Sequence, residues 1–298
     1  MKRFLKVLGI VVAGIAGLLA CIVLYGLIAS QAVVTRTYAV PLTSFDAPSD
    51  SVSASRGKHL ATIYGCNNCH GRELQGTVFL DEPGLARLHA PNLTRVAKEY
   101  TDAELARLLR HGVKRDGTSV WIMPSQMYSR LTDDDLADVI AYVRSVPERD
   151  GVDRELTLRP LARIGILSGQ FTPIAAQIEA DSAPRPMSGS SDPLSRGRYL
   201  VMTACTECHG LDLQGSAYLK APSLLIAAAY SSDDFTHLLR TGIPLGGRSL
   251  GLMKRASQAR FSSFTDEEIA AIRAYLDAFV RNGGKDPTTT TMTVHEHE

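Results

Sequence analysis

Cys66-Asn67-Asn68-Cys69-His70-Gly71 recurs as Cys205-Thr206-Glu207-Cys208-His209-Gly210, and after two further residues each copy continues Leu-Gln-Gly, ending at Gly76 and Gly215. Four of the five cysteines fall in these two stretches. Two thiols at this spacing lie about one helical turn apart and can each add to a vinyl group of one haem, while the adjacent histidine is held under the iron as proximal ligand. A thioredoxin-like redox pair would want a surrounding βαβ pattern, and a zinc site built from both pairs would have to bridge two separated repeats. Neither explains why histidine follows twice. The sequence therefore predicts two covalently attached haem c groups, one on Cys66, Cys69 and His70 and one on Cys205, Cys208 and His209.

The repeat extends in both directions. Ser55-Arg56-Gly57-Lys58-His59-Leu60 answers Ser195-Arg196-Gly197-Arg198-Tyr199-Leu200, and Ala90-Pro91-Asn92-Leu93 answers Ala221-Pro222-Ser223-Leu224. Leu108-Leu109-Arg110 returns 130 residues on as Leu238-Leu239-Arg240. Each copy closes on a helix signature, Thr132 before three aspartates and Thr265 before Asp266-Glu267-Glu268, in which the hydroxyl can cap and the acids face the positive helix end. Apolar residues then recur at helical spacing, Leu136, Val139, Ile140 and Val143 in one copy, Ile269, Ile272 and Leu276 in the other. Neither copy shows convincing strand alternation, so the expected fold is all-α, with two tandem helical domains over residues 55–145 and 194–282. The Pro-rich segment 146–193 reads as a linker whose leucines and isoleucines pack in part on a domain surface. Residues 283–298 read as a disordered tail, in which His295 and His297 have no core to fix a metal.

The sixth position of each iron separates electron transfer from catalysis. Met253 is the only methionine between His209 and the tail, whereas Met123 and Met127 compete in the first copy. The offset of 130 carries Met123 onto Met253 and Met127 onto Ser257, so Met123 and Met253 are the expected ligands and Met127 a core residue. His59, His111 and His237 do not recur between the copies and read as surface or core histidines.

Val7 to Ala29 is apolar or small throughout, and no charge appears before Arg36. At about 1.5 Å per residue the run crosses a bilayer core of about 30 Å. Residues 1–35 therefore read as an uncleaved transmembrane anchor rather than a signal peptide, and Cys21 as a residue of that helix rather than a lipidation site. Lys2, Arg3 and Lys6 precede the run, which places the N-terminus in the cytoplasm and the rest across the membrane. Residues 36–54, rich in Pro, Ser, Thr and Ala, read as a tether. The 298-residue chain balances 32 basic against 31 acidic residues, a net charge of +1 that lacks the basic excess of a nucleic-acid binder.

On these motifs each repeat resembles a small class I cytochrome c. The resemblance implies a crossing of the N- and C-terminal helices at a glycine and an aromatic, here Gly57 with Tyr142 and Gly197 with Tyr275. It also implies that the carbonyls of Pro91 and Pro222 accept a hydrogen bond from the proximal histidine. Met123-Pro124 is similar to the family's ligand turn, from which the second copy departs at Lys254. An iron held by histidine and methionine has no open site, so the chain is expected to be a non-catalytic electron carrier, a di-haem cytochrome c of the bacterial inner membrane with its haem domains in the periplasm. Its expected partners are a dehydrogenase or quinol-oxidising complex on one side and a terminal oxidase or soluble cytochrome on the other; the resemblance further suggests the cytochrome subunit of a membrane oxidoreductase. The alternatives are a di-haem peroxidase, which needs an iron able to open, a thiosulfate-oxidising cytochrome, which needs a cysteine ligand, and a redox or gas sensor, for which no cytoplasmic output domain is evident.

Overall fold

A computed structural model describes residues 2–180 and 192–288. The first helix, α1 (Lys2–Val34), runs for 33 residues with Ser30 as its one buried residue. Its apolar side chains otherwise face outward, and it is long and apolar enough to cross a membrane. Helix α2 (Ser51–Ile63) begins where Asp50 accepts hydrogen bonds from the Val52 and Ser53 amides at 2.9 Å. The haem-motif turn α3 (Cys66–His70) follows, then strands β1 (Thr77–Glu82) and β2 (Ala86–Ala90) and helices α4 (Leu93–Glu99), α5 (Asp102–His111), α6 (Ser125–Tyr128) and α7 (Asp133–Ser145). Strand β3 (Leu156–Leu158) and helices α8 (Pro160–Leu167) and α9 (Ile174–Ala180) come from the segment between the repeats. The second repeat holds α10 (Pro193–Ala204), α11 (Thr206–His209), α12 (Ser232–Thr241), α13 (Leu252–Ala259) and α14 (Asp266–Arg281), with 3-10 turns at Leu224–Ala229 and Phe261–Ser263.

The capping signatures act as expected. Thr132 accepts from the Asp135 amide at 3.1 Å, and Thr265 and Glu268 exchange hydrogen bonds in a full capping box. In each repeat the first helix crosses the last at a glycine. A methyl group on Gly57 would overlap the Asp138 carbonyl and lie 2.9 Å from Tyr142 Cβ; on Gly197 it would overlap the Ala271 carbonyl and lie 2.9 Å from Tyr275 Cβ. Both obstacles are backbone and cannot rotate away. Gly197→Ala should therefore destabilise the second domain by about 3 kcal/mol, the upper end for overpacking, and a denaturant titration followed by circular dichroism measures it.

Three features depart from the sequence reading. The first is an antiparallel sheet of order β1-β2-β3 in an otherwise helical molecule. Val78 and Phe79 remain 49% and 43% exposed, and pairing slips between Val78 and Leu80, so the strand never shows the clean alternation of a sheet with one buried face. The second concerns the expected tether, which lies on the first domain: Tyr38 is buried against Val113 and Ala175, its amide donates to Gly117 O at 2.9 Å, and the Ala47 amide donates to Asp102 at 2.8 Å. Helix α2 starts inside the same segment. The third is the segment after the first domain, expected to be an irregular linker packed in part on a domain surface, which supplies the regular elements β3, α8 and α9. At the C-terminal end, Asp286 accepts from Arg198 Nε at 2.5 Å and Gly284 O from Gln214 at 3.1 Å, so residues 283–288 sit against the second domain. His295 and His297 lie outside the described residues.

A single apolar core joins the two repeats. Leu60, Ile63, Tyr64 and Met127 of the first pack in one cluster with Tyr199, Leu200, Phe261 and Tyr275 of the second. Polar contacts rim it: Tyr199 donates to Asp135, and His59 Nε2 lies 3.0 Å from both carboxylate oxygens of Glu268. That carboxylate raises the His59 pKa above its ordinary value.

Candidate haem sites

The two haem-motif loops are built alike down to their backbone. Gly76 N donates to His70 O at 2.7 Å and Gly215 N to His209 O at 2.8 Å, folding each loop back on its own histidine. Gly71 and Gly210 carry the positive φ values, 84° and 78°, that turn the chain after the histidine. Leu74 and Leu213 also adopt positive φ, at 59° and 61°, although a side chain disfavours it. Both are almost completely buried, which holds the strained turn in place. Their amides and carbonyls are engaged too: Leu93 N donates to Leu74 O at 2.8 Å and Leu224 N to Leu213 O at 2.9 Å, tying each loop to the proline segment that follows.

That tie brings the histidines to Pro91 and Pro222. His70 Nδ1 lies 2.8 Å from Pro91 O, and His209 Nδ1 lies 2.8 Å from Pro222 O. An imidazole that donates from Nδ1 keeps Nε2 as its free, basic nitrogen, the tautomer an iron ligand needs. Burial holds both histidines below the usual imidazole pKa, so the rings are neutral near pH 7. Burial also pushes the Cys66 thiol up to about 11 and Cys205 up to about 12, keeping them protonated rather than as stray thiolates.

Whether a haem fits is tested by the space beside α11. A cavity of about 1020 Å³ opens there, lined by Cys205, Cys208, His209 and Pro222 on one side and by Met253 on another. Phe235, Leu239, Ile272 and Leu276 make the remaining wall predominantly apolar. Large enough for a macrocycle, flanked by two thiols, an oriented imidazole and a thioether, it suits haem. In the first domain Met123 packs partly buried against the core, just before Pro124 and α6, while Met127 is 1% exposed inside the core. Ser257, the repeat partner of Met127, is equally enclosed. Met253 lies in the first turn of α13, which starts at Gly251 with a φ of 54°; the Lys254 that replaces proline packs over Gly242.

One pair of residues escaped the sequence reading. Arg130 and Arg260 are 3% and 7% exposed, and they stand at the same offset of 130 that relates the two methionines. Arg260 reaches across the repeats: Nε donates to Ile63 O at 3.1 Å, one terminal nitrogen to Glu207 at 2.8 Å and the other to Ala204 O at 3.5 Å. It therefore touches the residues just before Cys66 and Cys205 and a residue inside the second motif. Buried arginine is uncommon enough that its recurrence was the available signal.

Two sites, each combining a pair of thiols with an oriented histidine, the second opening on a predominantly apolar cavity, define a two-haem protein of the c type. The cytochrome c family matches residues 54–147 and 194–279, and the chain belongs to that family. It is similar to the fructose dehydrogenase cytochrome subunit of Gluconobacter japonicus, at 29% identity over 81% of this chain and 56% of that one. It is also similar to the cytochrome c subunit of the quinone alcohol dehydrogenase of Gluconacetobacter polyoxogenes, at 27% identity over 82% of this chain and 60% of that one. A di-haem c-type cytochrome of Cereibacter sphaeroides matches at 27% identity over 75% of this chain and 84% of its own. The chain thus spans under two thirds of the two dehydrogenase subunits. It is a di-haem cytochrome c, carrying two covalently bound haem c groups and transferring electrons.

Proposed function

We propose that this cytochrome is the membrane-anchored electron-transfer subunit of a dehydrogenase, taking single electrons from it and passing them to a terminal oxidase or soluble cytochrome. In this reading the haem domains span residues 55–145 and 194–282 and face the periplasm of a bacterial inner membrane, with the N-terminus cytoplasmic. The basic residues Lys2, Arg3 and Lys6 in the first turns of α1, ahead of its apolar run, support that orientation. The similarity to cytochrome subunits of fructose and alcohol dehydrogenases supports the dehydrogenase as donor.

The observation that carries the reading is Met253 on the wall of the cavity that His209 also lines, with Met123 at the repeat-equivalent position. Bound haem supplies reversible one-electron chemistry. The chain's residues then decide its use. The cysteines would fix the group and His70 and His209 would hold its iron through Nε2, while Pro91 and Pro222 orient those rings through Nδ1. Met123 and Met253 would supply the second protein ligand to each iron, which would keep substrate off it and, through the soft thioether, raise its potential. A thiosulfate-oxidising mechanism finds no thiol for a ligand, because the fifth cysteine, Cys21, lies in α1.

The test is optical. The ferric protein should show a sulfur-to-iron charge-transfer band, and the reduced protein should bind carbon monoxide poorly. Met123→Ala should open one haem to carbon monoxide and Met253→Ala the other, each lowering the affected potential, while Met127→Ala leaves the band intact. Rapid carbon monoxide binding by the unmutated protein would replace the carrier by the peroxidase reading.

A further inference from the structure

Helix α8, from the segment between the repeats, packs on the last turns of α1. Leu167 Cδ1 approaches Gly26, where a Cβ would stand 3.6 Å away. Arg163 donates to Ser30 Oγ at 2.9 Å and to Gln31 Oε1 at 3.2 Å, which explains why Ser30 is the buried residue of α1. This contact lies where the apolar run of α1 ends, at the boundary between hydrocarbon and headgroups.

Outside these contacts much of the apolar surface of α8 stays open. Leu161, Ile164 and Leu167, spaced at three residues, are 58%, 61% and 47% exposed, and Phe171 just beyond is 37% exposed. Ala162, Gly165 and Ile166 take the buried side. A stripe of large aliphatic side chains facing water would be costly on a soluble domain. Beside it, however, Leu24, Leu27 and Ile28 of α1 are exposed in the same way, so the two surfaces adjoin at one level of the molecule.

We infer that α8 is an interfacial helix, seated with Leu161, Ile164 and Leu167 in the acyl-headgroup boundary of the outer leaflet next to α1. The occupant is phospholipid, because the patch adjoins the lipid-facing surface of a membrane-spanning helix. Arg159 at the N-cap of α8 and Arg36 just past α1 are already paired, with Asp81 at 2.9 Å and Glu179 at 3.5 Å, so the apolar stripe itself makes the lipid contact. Backbone bonds carry the attachment into the first haem domain: Leu161 N donates to Gly84 O at 2.9 Å and Arg159 N to Leu85 O at 3.0 Å. Two membrane contacts, α1 and α8, thereby fix the first domain against the bilayer. The inference rests on the reading of α1 as a membrane anchor.

The full haem-loaded chain, alone in nanodiscs of phosphatidylethanolamine and phosphatidylglycerol, should be irradiated with phospholipids bearing a diazirine near the glycerol end of the acyl chain. Peptides containing residues 160–171 should acquire lipid adducts about ten-fold above those of the segment around the fully exposed Asp150, alongside adducts on α1. The variant Leu161→Glu/Ile164→Glu should lose the α8 adducts and keep both the α1 adducts and two haems per chain. Adducts on α1 without any on α8 would overturn the inference alone. Adducts on neither would overturn the anchor reading and the inference with it.

Discussion

Replacing Cys205 and Cys208 together by alanine should leave one haem per chain and a second domain that no longer folds to its native form. The wall beside α11 surrounds about 1020 Å³, and it is mostly apolar. Without haem, an apolar space of that size must either collapse or take up water against apolar walls, and both disrupt the packing of the domain. A typical domain has only about 5–15 kcal/mol of total stability. The haem is therefore part of the core, and without it Phe235, Leu239, Ile272 and Leu276 must collapse inward or face water. Tyr199 and Leu200 belong to the same cluster as Leu60 and Tyr64, so the damage reaches the first domain, although that domain keeps its own haem. Pyridine haemochrome analysis and far-UV circular dichroism check both parts. Two haems per chain, or an unchanged melting curve, would contradict this account of the core.

How far the sequence reveals these sites follows from the range of the forces involved. The haem motifs, helix caps and glycine crossings are local or repeated, and the duplicated sequence aligned Met123 with Met253 and Pro91 with Pro222 before any geometry was known. The sheet was hidden because its local hairpin is bulged and leaves Val78 and Phe79 exposed, so no clean alternation appears, while its third strand is remote in sequence. Residues between Gly76 and Ala90 form the β1-β2 hairpin, whereas the shorter stretch between Gly215 and Ala221 makes only a single bridge from Ser216 to Ala221. The hairpin in turn recruits β3, which delivers α8 to α1. Proline content argued against regular structure between the repeats, yet Pro160 occupies the first position of α8, where its missing amide costs nothing. Tyr38 likewise looked like a residue of a free tether because its partners, Val113 and Ala175, are remote in sequence.

Arg260 was invisible for another reason: composition treats an arginine as a surface charge, and only its contacts show that it joins the domains. Arg260→Met should destabilise the interface by about 1–3 kcal/mol, since the buried Ile63 and Ala204 carbonyls lose a donor, while the ion pair to the 39% exposed Glu207 adds little. Arg260→Lys should recover only part of this, because a point ammonium cannot reach three acceptors arranged around a planar guanidinium. The effect should extend to the haems. Arg260 lies against Gly65, ahead of the first motif, and pairs with Glu207 inside the second, so it is a fixed positive charge beside both. Positive charge disfavours ferric iron, and removing it should lower both potentials together, unlike the methionine variants, which each act on one haem. Spectroelectrochemical titration reads the two shifts, and thermal unfolding followed at the Soret band should change from one cooperative transition to two. Unchanged potentials with a lowered melting point would make Arg260 a structural clamp alone; if one haem shifts and the other does not, the guanidinium acts within a single domain.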